Sequence, residues 1–306
     1  MSPIRNLFLY SLILVIKSFQ QANATVGPGV YVAPGHLPYQ VSISTAGLLC
    51  GGVLYSEIVV ITAAHCIYDG TGKLRSASDL LIYAGSVEQF KGEMRTASSY
   101  VIAPNFVNRG GLHDIALIKL TQPFQLGTKI QPVRIAENGV YFQPGTKCIL
   151  AGFGQKDSST SLKEVTVRIR SGTVCRAINA RTWDANTMVC AGGLLGEGNS
   201  CGGDSGGPLI CNGVLYGIVV MGEDVCSGTM ATTYTNIAKY HDWIIQTANS
   251  FGSRINSNNE IGHDFKGYQF KPMPSLNNMN GMKFNWKSFQ YQSSNSQSQW
   301  QSQSSS

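Results

Sequence analysis

Short apolar and β-branched runs alternate with turn residues through most of the chain from Leu37 onwards. Runs of this kind, bounded by glycine, asparagine and serine, predict β-strands. The first set predicts strands over residues 39–44, 51–55, 59–62, 80–84, 96–102 and 115–120. A second set follows Gln131 and predicts strands over residues 147–152, 162–170, 188–191, 208–211, 214–222 and 231–236. The pattern by itself therefore indicates a β-rich protein in two halves.

One segment near the end of this region has a different period. Apolar side chains recur at Ile237, Tyr240, Ile244 and Ala248. This spacing of three to four residues predicts a helix over residues 237–248 that closes the folded part of the chain.

The first 24 residues have the pattern of a secretory signal peptide. Arg5 precedes an apolar run over residues 7–16, and Ala22-Asn23-Ala24 is a small-x-small cleavage site. An uncleaved membrane anchor is the alternative, but the apolar run is short for a spanning helix. We expect a secreted protein with no membrane attachment after signal removal.

The last segment, residues 250–306, is rich in asparagine, serine and glutamine. It carries too little apolar surface to offset the entropy of ordering, which predicts disorder. The alternative is an interaction tail whose scattered aromatic residues bind a partner. The folded domain is accordingly expected over residues 25–249.

The charge of +6 is unevenly distributed. The segment before residue 25 and the segment after residue 249 hold most of the excess, which leaves 16 basic and 15 acidic residues between them. A balance this close to neutral does not favour nucleic-acid binding.

All eight cysteines follow the expected cleavage site, where a secreted protein can form disulfides. Eight cysteines allow 105 pairings, and the spacing does not choose among them. Metal binding is the alternative use of cysteines, but the chain contains no C-x-x-C pair or His/Cys cluster, and no metal or cofactor is expected.

Candidate chemistry is concentrated in the string Gly-Asn-Ser-Cys-Gly-Gly-Asp-Ser-Gly-Gly-Pro at residues 198–208. A serine hydroxyl becomes a nucleophile when a base removes its proton and N–H donors stabilise the oxyanion. The glycines beside Ser205 allow the backbone N–H groups of Gly203, Asp204 and Ser205 to point into one small space. Taken alone, the string could also be an ordinary turn.

Two upstream strings supply the other parts of such a site. Thr62-Ala63-Ala64-His65-Cys66 offers a histidine after an apolar strand, and His113-Asp114-Ile115-Ala116-Leu117-Ile118-Lys119-Leu120 offers an aspartate that enters a strand. In this order and spacing, the three strings closely resemble the trypsin/chymotrypsin family of serine proteases, over about 225 residues. The alternatives are a structural histidine, a strand-edge aspartate and a turn serine.

The resemblance implies a fold and a mechanism. The fold is all-β, with two packed six-stranded antiparallel barrels and a C-terminal helix. Ser205 would be the nucleophile, His65 its general base and Asp114 the group that orients the imidazole. Gly203 and Ser205 would form the oxyanion hole. The implied disulfides are Cys50–Cys66, Cys148–Cys211, Cys175–Cys190 and Cys201–Cys226.

The resemblance also places Asn199 at the base of the primary substrate pocket, with Gly222 and Thr232 as its walls. An asparagine there leaves a Lys or Arg side chain without a counter-ion. We therefore expect a preference for an uncharged, small-to-medium residue before the scissile bond, as in chymotrypsins and elastases rather than trypsins.

In this family a new N-terminus folds inwards and pairs with the aspartate before the serine, here Asp204. Counting places that N-terminus at Thr25 or Val26, although no Lys or Arg lies between Lys17 and Lys73. Signal cleavage alone would then expose the activating ammonium, which is our hypothesis for this chain.

Two positions depart from the family pattern. Val220-Met221 stands where Ser-Trp is common, and valine cannot donate to the triad aspartate as the serine does. Ser86 stands at one end of the loop that binds calcium in many trypsins, although Glu93 remains at the other, and we expect no calcium requirement.

Together these features predict a secreted serine endopeptidase, expected as a monomer, that acts on protein or peptide substrates and is open to serine-protease inhibitors. One alternative is a catalytically weak or inactive homologue with a binding or regulatory role. Another is that the tail over residues 250–306 carries the function as an adhesive secreted segment, and that the protease domain serves to deliver it.

Overall fold

The computed structural model describes residues 29–253, apart from residues 46–47, 109–110, 155–159, 179, 181, 194–196 and 223–229. The expected signal peptide, Thr25, Val26, Cys226 and the tail after residue 253 lie outside the described residues. The strands are β1 Val30–Tyr31, β2 Gln40–Thr45, β3 Leu48–Ser56, β4 Val59–Thr62, β5 Leu80–Ala84, β6 Glu93–Ile102, β7 Ala116–Leu120, β8 Lys147–Gly152, β9 Lys163–Arg168, β10 Met188–Ala191, β11 Pro208–Cys211, β12 Val214–Met221 and β13 Thr232–Asn236. The α-helices are α1 Gly172–Ile178 and α2 Ile237–Ser253, and the 3-10 turns are Ala64–Ile67 and Ala77–Asp79.

The first half of the protein is a closed antiparallel barrel with strand order β2-β3-β4-β7-β6-β5. Closure comes from β2, which pairs on one side with β3 (Gln40 opposite Val53) and on the other with β5 (Val41 opposite Ala84). The barrel leaves no strand edge unpaired. Its interior contains fully buried aliphatic side chains, among them Ile43, Leu54, Ile61, Ile82 and Leu117.

The second half is a seven-stranded antiparallel sheet with the order β10-β13-β12-β11-β8-β9-β1. Among the described residues, one bridge, between Ile169 just after β9 and Ala191 of β10, joins the two sides of this sheet. Next to the bridge, the N–H of Arg170 donates to Cys190 O at 2.9 Å and the N–H of Gly192 donates to Arg168 O at 3.0 Å. Six strands thus form a second barrel, and β1 is added at its edge. The predicted fold of two barrels and a C-terminal helix is confirmed.

One strand and one α-helix that the sequence pattern did not predict are short. Strand β1 has two residues, too few to show any period, and helix α1 is fastened to β10 by a disulfide between Cys175 and Cys190. Helix α2 begins at the predicted Ile237 but continues to Ser253, four residues past the expected domain boundary at 249. It continues because Phe251 is buried against the core and its carbonyl accepts a 2.7 Å hydrogen bond from Lys119 Nζ.

Three of the four implied disulfides are formed: Cys50–Cys66, Cys148–Cys211 and Cys175–Cys190. Cys201 is also disulfide-bonded, and its expected partner Cys226 lies outside the described residues. In the part of the chain that the structure describes, no helix has both the length and the apolar character needed to cross a membrane.

Candidate active site

His65 lies on the 3-10 turn that follows β4. Thr62, the last residue of β4, is buried and donates to Gly51 O at 2.8 Å, and Cys66 is bonded to Cys50 of β3. The histidine is thus fastened to the first barrel on both sides. Because the sulfurs beside His65 are joined in a disulfide, they are not free to act as metal ligands.

Asp114, in the turn before β7, is 1% exposed and faces His65. Its Oδ2 accepts a hydrogen bond from His65 Nδ1 at 2.6 Å, and its Oδ1 accepts one from the His65 main-chain N–H at 2.9 Å. A carboxylate only accepts, so Nδ1 carries the hydrogen and Nε2 of the neutral ring is left as the acceptor. The pair therefore presents one basic nitrogen in a fixed orientation.

The same contact sets the protonation of His65. Burial of the ring disfavours its charged form, but the negative charge of Asp114 and the hydrogen bond from Nδ1 together favour it more strongly. The pKa of His65 is therefore raised above its ordinary value of 6.5. A histidine of this kind is a stronger base than a free imidazole.

Ser205 is held against the first barrel through its main chain. Its carbonyl accepts a 2.7 Å hydrogen bond from the N–H of Gly51, the neighbour of Cys50. The approach is close enough to require glycine at residue 206, since a Cβ there would lie 2.2 Å from Thr62 Oγ1, and the backbone has a φ of +81°. Among the hydrogen bonds of the described residues, none joins Ser205 Oγ to His65 Nε2. Such bonds are often long until substrate binds.

Over residues 203–206, two N–H groups have no acceptor in the described part of the chain. Gly203 has a φ of +91°, and the N–H groups of Asp204 and Gly206 are directed to Cys201 O and Val219 O. Within the described segments, the N–H groups of Gly203 and Ser205 donate to no protein acceptor. These are the two donors that the sequence assigned to an oxyanion hole.

Asp204 is completely buried beneath this turn. Its Oδ1 accepts from the N–H of Gly154 and its Oδ2 from the N–H of Cys201, both at 2.9 Å. Thr25 and Val26, the residues expected to supply its ammonium partner, lie outside the described residues.

The structure brings Asn199, Thr232 and Gly222 together around Ser200, a residue that the sequence analysis did not single out. Thr232 Oγ1 accepts from the N–H of Ser200 at 2.7 Å and donates to Ser200 Oγ at 3.0 Å. A Cβ built on Gly222 would lie 2.3 Å from Ser200 Oγ. Asn199, which is fully buried, donates from Nδ2 to Met230 O at 3.3 Å. The only sequence signal for Ser200 was its place beside Asn199.

Val220 is buried beside the His65–Asp114 pair and packs on Gly111, where a Cβ would lie 2.5 Å from its Cγ1. Valine has no polar side-chain atom to offer the carboxylate. An open cleft of about 460 Å³ lies alongside, and its lining includes Leu48, Tyr68 and Met221. Glu93, the first residue of β6, pairs with Arg95 at 2.9 Å.

Comparison with known proteins agrees with this architecture. A family model described as Trypsin matches residues 27–244. Trypsin of Sus scrofa is 33% identical over 224 residues, which cover 72% of this chain and 94% of that protein. Kallikrein-14 of Homo sapiens is 31% identical over 246 residues, which cover 77% of this chain and 88% of that protein. A solved structure of neuropsin, a serine protease expressed in the limbic system of mouse brain, is similar with a TM-score of 0.64 and 31% identity, covering 72% of this chain and 98% of that one.

Two β-barrels, a buried aspartate hydrogen-bonded to a histidine, and a serine between an aspartate and a glycine thus define a chymotrypsin-like protein. The chain belongs to the trypsin family of serine proteases. As a member of that family it is a serine endopeptidase, a hydrolase of peptide bonds in protein substrates.

Proposed function

We propose that this endopeptidase acts through a triad of Ser205, His65 and Asp114. The observation that carries the proposal is the pair of hydrogen bonds from His65 to Asp114, at 2.6 and 2.9 Å, because it leaves Nε2 as the base. Nε2 takes the proton of Ser205 Oγ as that oxygen bonds to the carbonyl carbon of the substrate. The oxyanion accepts hydrogen bonds from the N–H groups of Gly203 and Ser205, each worth about 3 kcal/mol.

The second half of the cycle uses the same groups. The protonated His65 gives its proton to the leaving amine as the C–N bond breaks, which leaves an acyl group on Ser205. Water then attacks the acyl carbon while His65 accepts the water proton, and the same proton returns to Ser205 Oγ when the acid product leaves. No cofactor is needed for this chemistry.

A fluorophosphonate probe tests the triad because it labels only an activated serine. Secreted, correctly cleaved protein is treated beside a Ser205→Ala variant. We expect labelling of the wild type and none of the variant. Wild-type protein that is folded yet unlabelled would refute the triad and favour a binding or regulatory homologue, an alternative supported by the absence of a donor on Val220.

We propose that the primary pocket selects an uncharged, small-to-medium side chain. Asn199 carries no charge to pair with Lys or Arg, and Thr232, one of the expected walls, is hydrogen-bonded to Ser200 and has a side chain larger than glycine. Desolvating an unpaired cation there costs several kcal/mol. A library of peptide substrates varied at this position measures the preference directly, and dominant cleavage after Arg would contradict it.

We propose further that the protein is secreted as a monomer and is subject to serine-protease inhibitors. The disulfides Cys50–Cys66, Cys148–Cys211 and Cys175–Cys190 support an oxidising compartment. Recovery from culture medium, N-terminal sequencing and light scattering of the secreted protein test secretion and the monomeric state, and loss of activity with a serine-protease inhibitor tests the last statement. Retention of the expected signal segment, or a dimeric mass, would contradict them.

A further inference from the structure

The main chain at Asp114 forms a tight, unfavourable turn. The N–H of Ile115 donates to His113 O at 2.9 Å, which makes Asp114 the centre of a three-residue turn. His113 has a φ of +56°, in the left-handed region that residues with side chains rarely adopt. A turn of this kind persists only when neighbouring groups hold it.

Two side chains from the second half of the chain hold the turn. Thr235 Oγ1, on β13, donates to Asp114 O at 2.7 Å, and the hydroxyl of Tyr240, on α2, shares a 2.7 Å hydrogen bond with His113 Nδ1. Thr235 is 1% exposed and Tyr240 is 8% exposed. Both bonds are thus largely shielded from water.

The Tyr240 ring is itself fixed in position. It makes edge contacts with His113 and with Trp243, at ring-centre distances of 6.2 Å each. Burial raises the pKa of the Tyr240 hydroxyl, and the nearby charges of Asp184 and Asp114 raise it further. The hydroxyl therefore remains protonated over the pH range in which a histidine base works.

We propose that Tyr240 and Thr235 are positioning residues that set the orientation of the Asp114 carboxylate. Val220 offers that carboxylate no donor, and in the described part of the chain both of its hydrogen bonds come from His65. Its direction thus depends on where the turn at residues 113–115 is held. This inference rests on the proposed triad, because it concerns how Asp114 orients His65.

Tyr240→Phe and Thr235→Val test the proposal, since each removes a hydroxyl and keeps the shape of the side chain. We expect kcat to fall roughly tenfold with KM unchanged. We also expect the acid limb of kcat/KM to move to lower pH, because a misdirected carboxylate stabilises the His65 imidazolium less. Tyr100→Phe is the matched control, because it removes the hydrogen bond that the Tyr100 hydroxyl donates to Arg75 O at 2.8 Å in the first barrel. This variant should change neither kcat nor the acid limb of kcat/KM.

A rescue variant separates positioning from packing. Val220→Ser, added to Tyr240→Phe, offers the carboxylate a new donor and should restore part of kcat. A packing defect would lower the melting temperature without rescue. Wild-type kcat and an unshifted acid limb in both hydroxyl variants would overturn the proposal, as would a loss of kcat that Val220→Ser leaves unchanged. Fluorophosphonate labelling of the wild type shows separately whether the triad is functional. Failure of the positioning proposal can therefore be distinguished from failure of the triad.

Discussion

Glu197 and Arg170 form a largely shielded ion pair two residues before Asn199 in the sequence, with Arg170 Nη2 donating to Glu197 Oε2 at 2.6 Å. The same guanidinium donates to the carbonyls of Gly192 and Gly193 at 3.0 and 2.8 Å. Arg168 Nη1 donates a hydrogen bond to Oε1, the other carboxylate oxygen of Glu197. One carboxylate thus links the segment before Asn199 to the end of β9.

Glu197→Gln is expected to lower the free energy of unfolding by about 1–3 kcal/mol, because it removes the charge that pairs with the shielded Arg170 and also contacts the more exposed Arg168. Glu93→Gln is the matched control, since the Glu93–Arg95 pair lies nearer the surface and should contribute less than about 1 kcal/mol. Urea unfolding measures both. Equal losses in the two variants would contradict a special role for Glu197.

Asp114→Asn should leave the fold intact and lower kcat by about 10⁴-fold, the scale typical of Ser-His-Asp triads. The amide donates where the carboxylate accepted, so His65 takes the wrong tautomer. Asp242→Asn, at an exposed position on α2, serves as the control. A loss of less than about tenfold would show that Asp114 does not orient His65.

The pH profile should reflect the raised pKa of His65. Catalysis requires the neutral ring, so kcat/KM is full above that pKa and falls as the pH drops through it. The midpoint of the acid limb is thus expected above 6.5, the ordinary value for histidine. Steady-state kinetics over a pH series give this midpoint, and a value below 6.5 would mean that burial outweighs the charge of Asp114.

Asn199→Asp should introduce cleavage after Lys and Arg, because a carboxylate at the pocket base supplies the missing counter-ion. Asn212→Asp adds the same charge in an exposed turn and should leave the preference unchanged. Peptide libraries compared across the wild type and the two variants report the outcome. If Asn199→Asp brings no cleavage after basic residues, residue 199 does not line the pocket.

The N-terminus of the secreted protein should begin at Thr25 or Val26, and its ammonium should be needed for activity. A two-residue extension before Thr25 is expected to reduce fluorophosphonate labelling, and Asp204→Asn should do the same. Mass spectrometry identifies the start, and the probe measures the active fraction. Full labelling of the extended protein would remove the proposed role of the ammonium.

Local pattern was sufficient for the strands of both halves other than β1. Val59–Thr62, Lys147–Gly152 and Pro208–Cys211 have the predicted bounds, because each is a β-branched or apolar run between turn residues. The end of α2 could not be predicted from the local pattern. Asn249 and Ser250 resemble the tail in composition but lie on the exposed face of the helix, ahead of buried Phe251.

The supporting contacts of the site could not be predicted in the same way. The string that contains His113 points only to its neighbour Asp114, yet His113 shares a hydrogen bond with Tyr240, 127 positions later in the sequence. Thr235 and Asp114 are 121 positions apart. Such pairs are created by the packing of the two halves, and neither periodicity nor residue type signals them.

The bridge between Ile169 and Ala191 gives the second barrel a seam that the first barrel lacks. Hydrogen exchange is fastest where the fewest bonds must break, so the amides of Arg170 and Gly192 should open before those of β11 or β12. The seam adjoins the residues that lead to Asn199. Its opening rate is therefore a native-state measure of mobility beside the proposed pocket, readable without substrate.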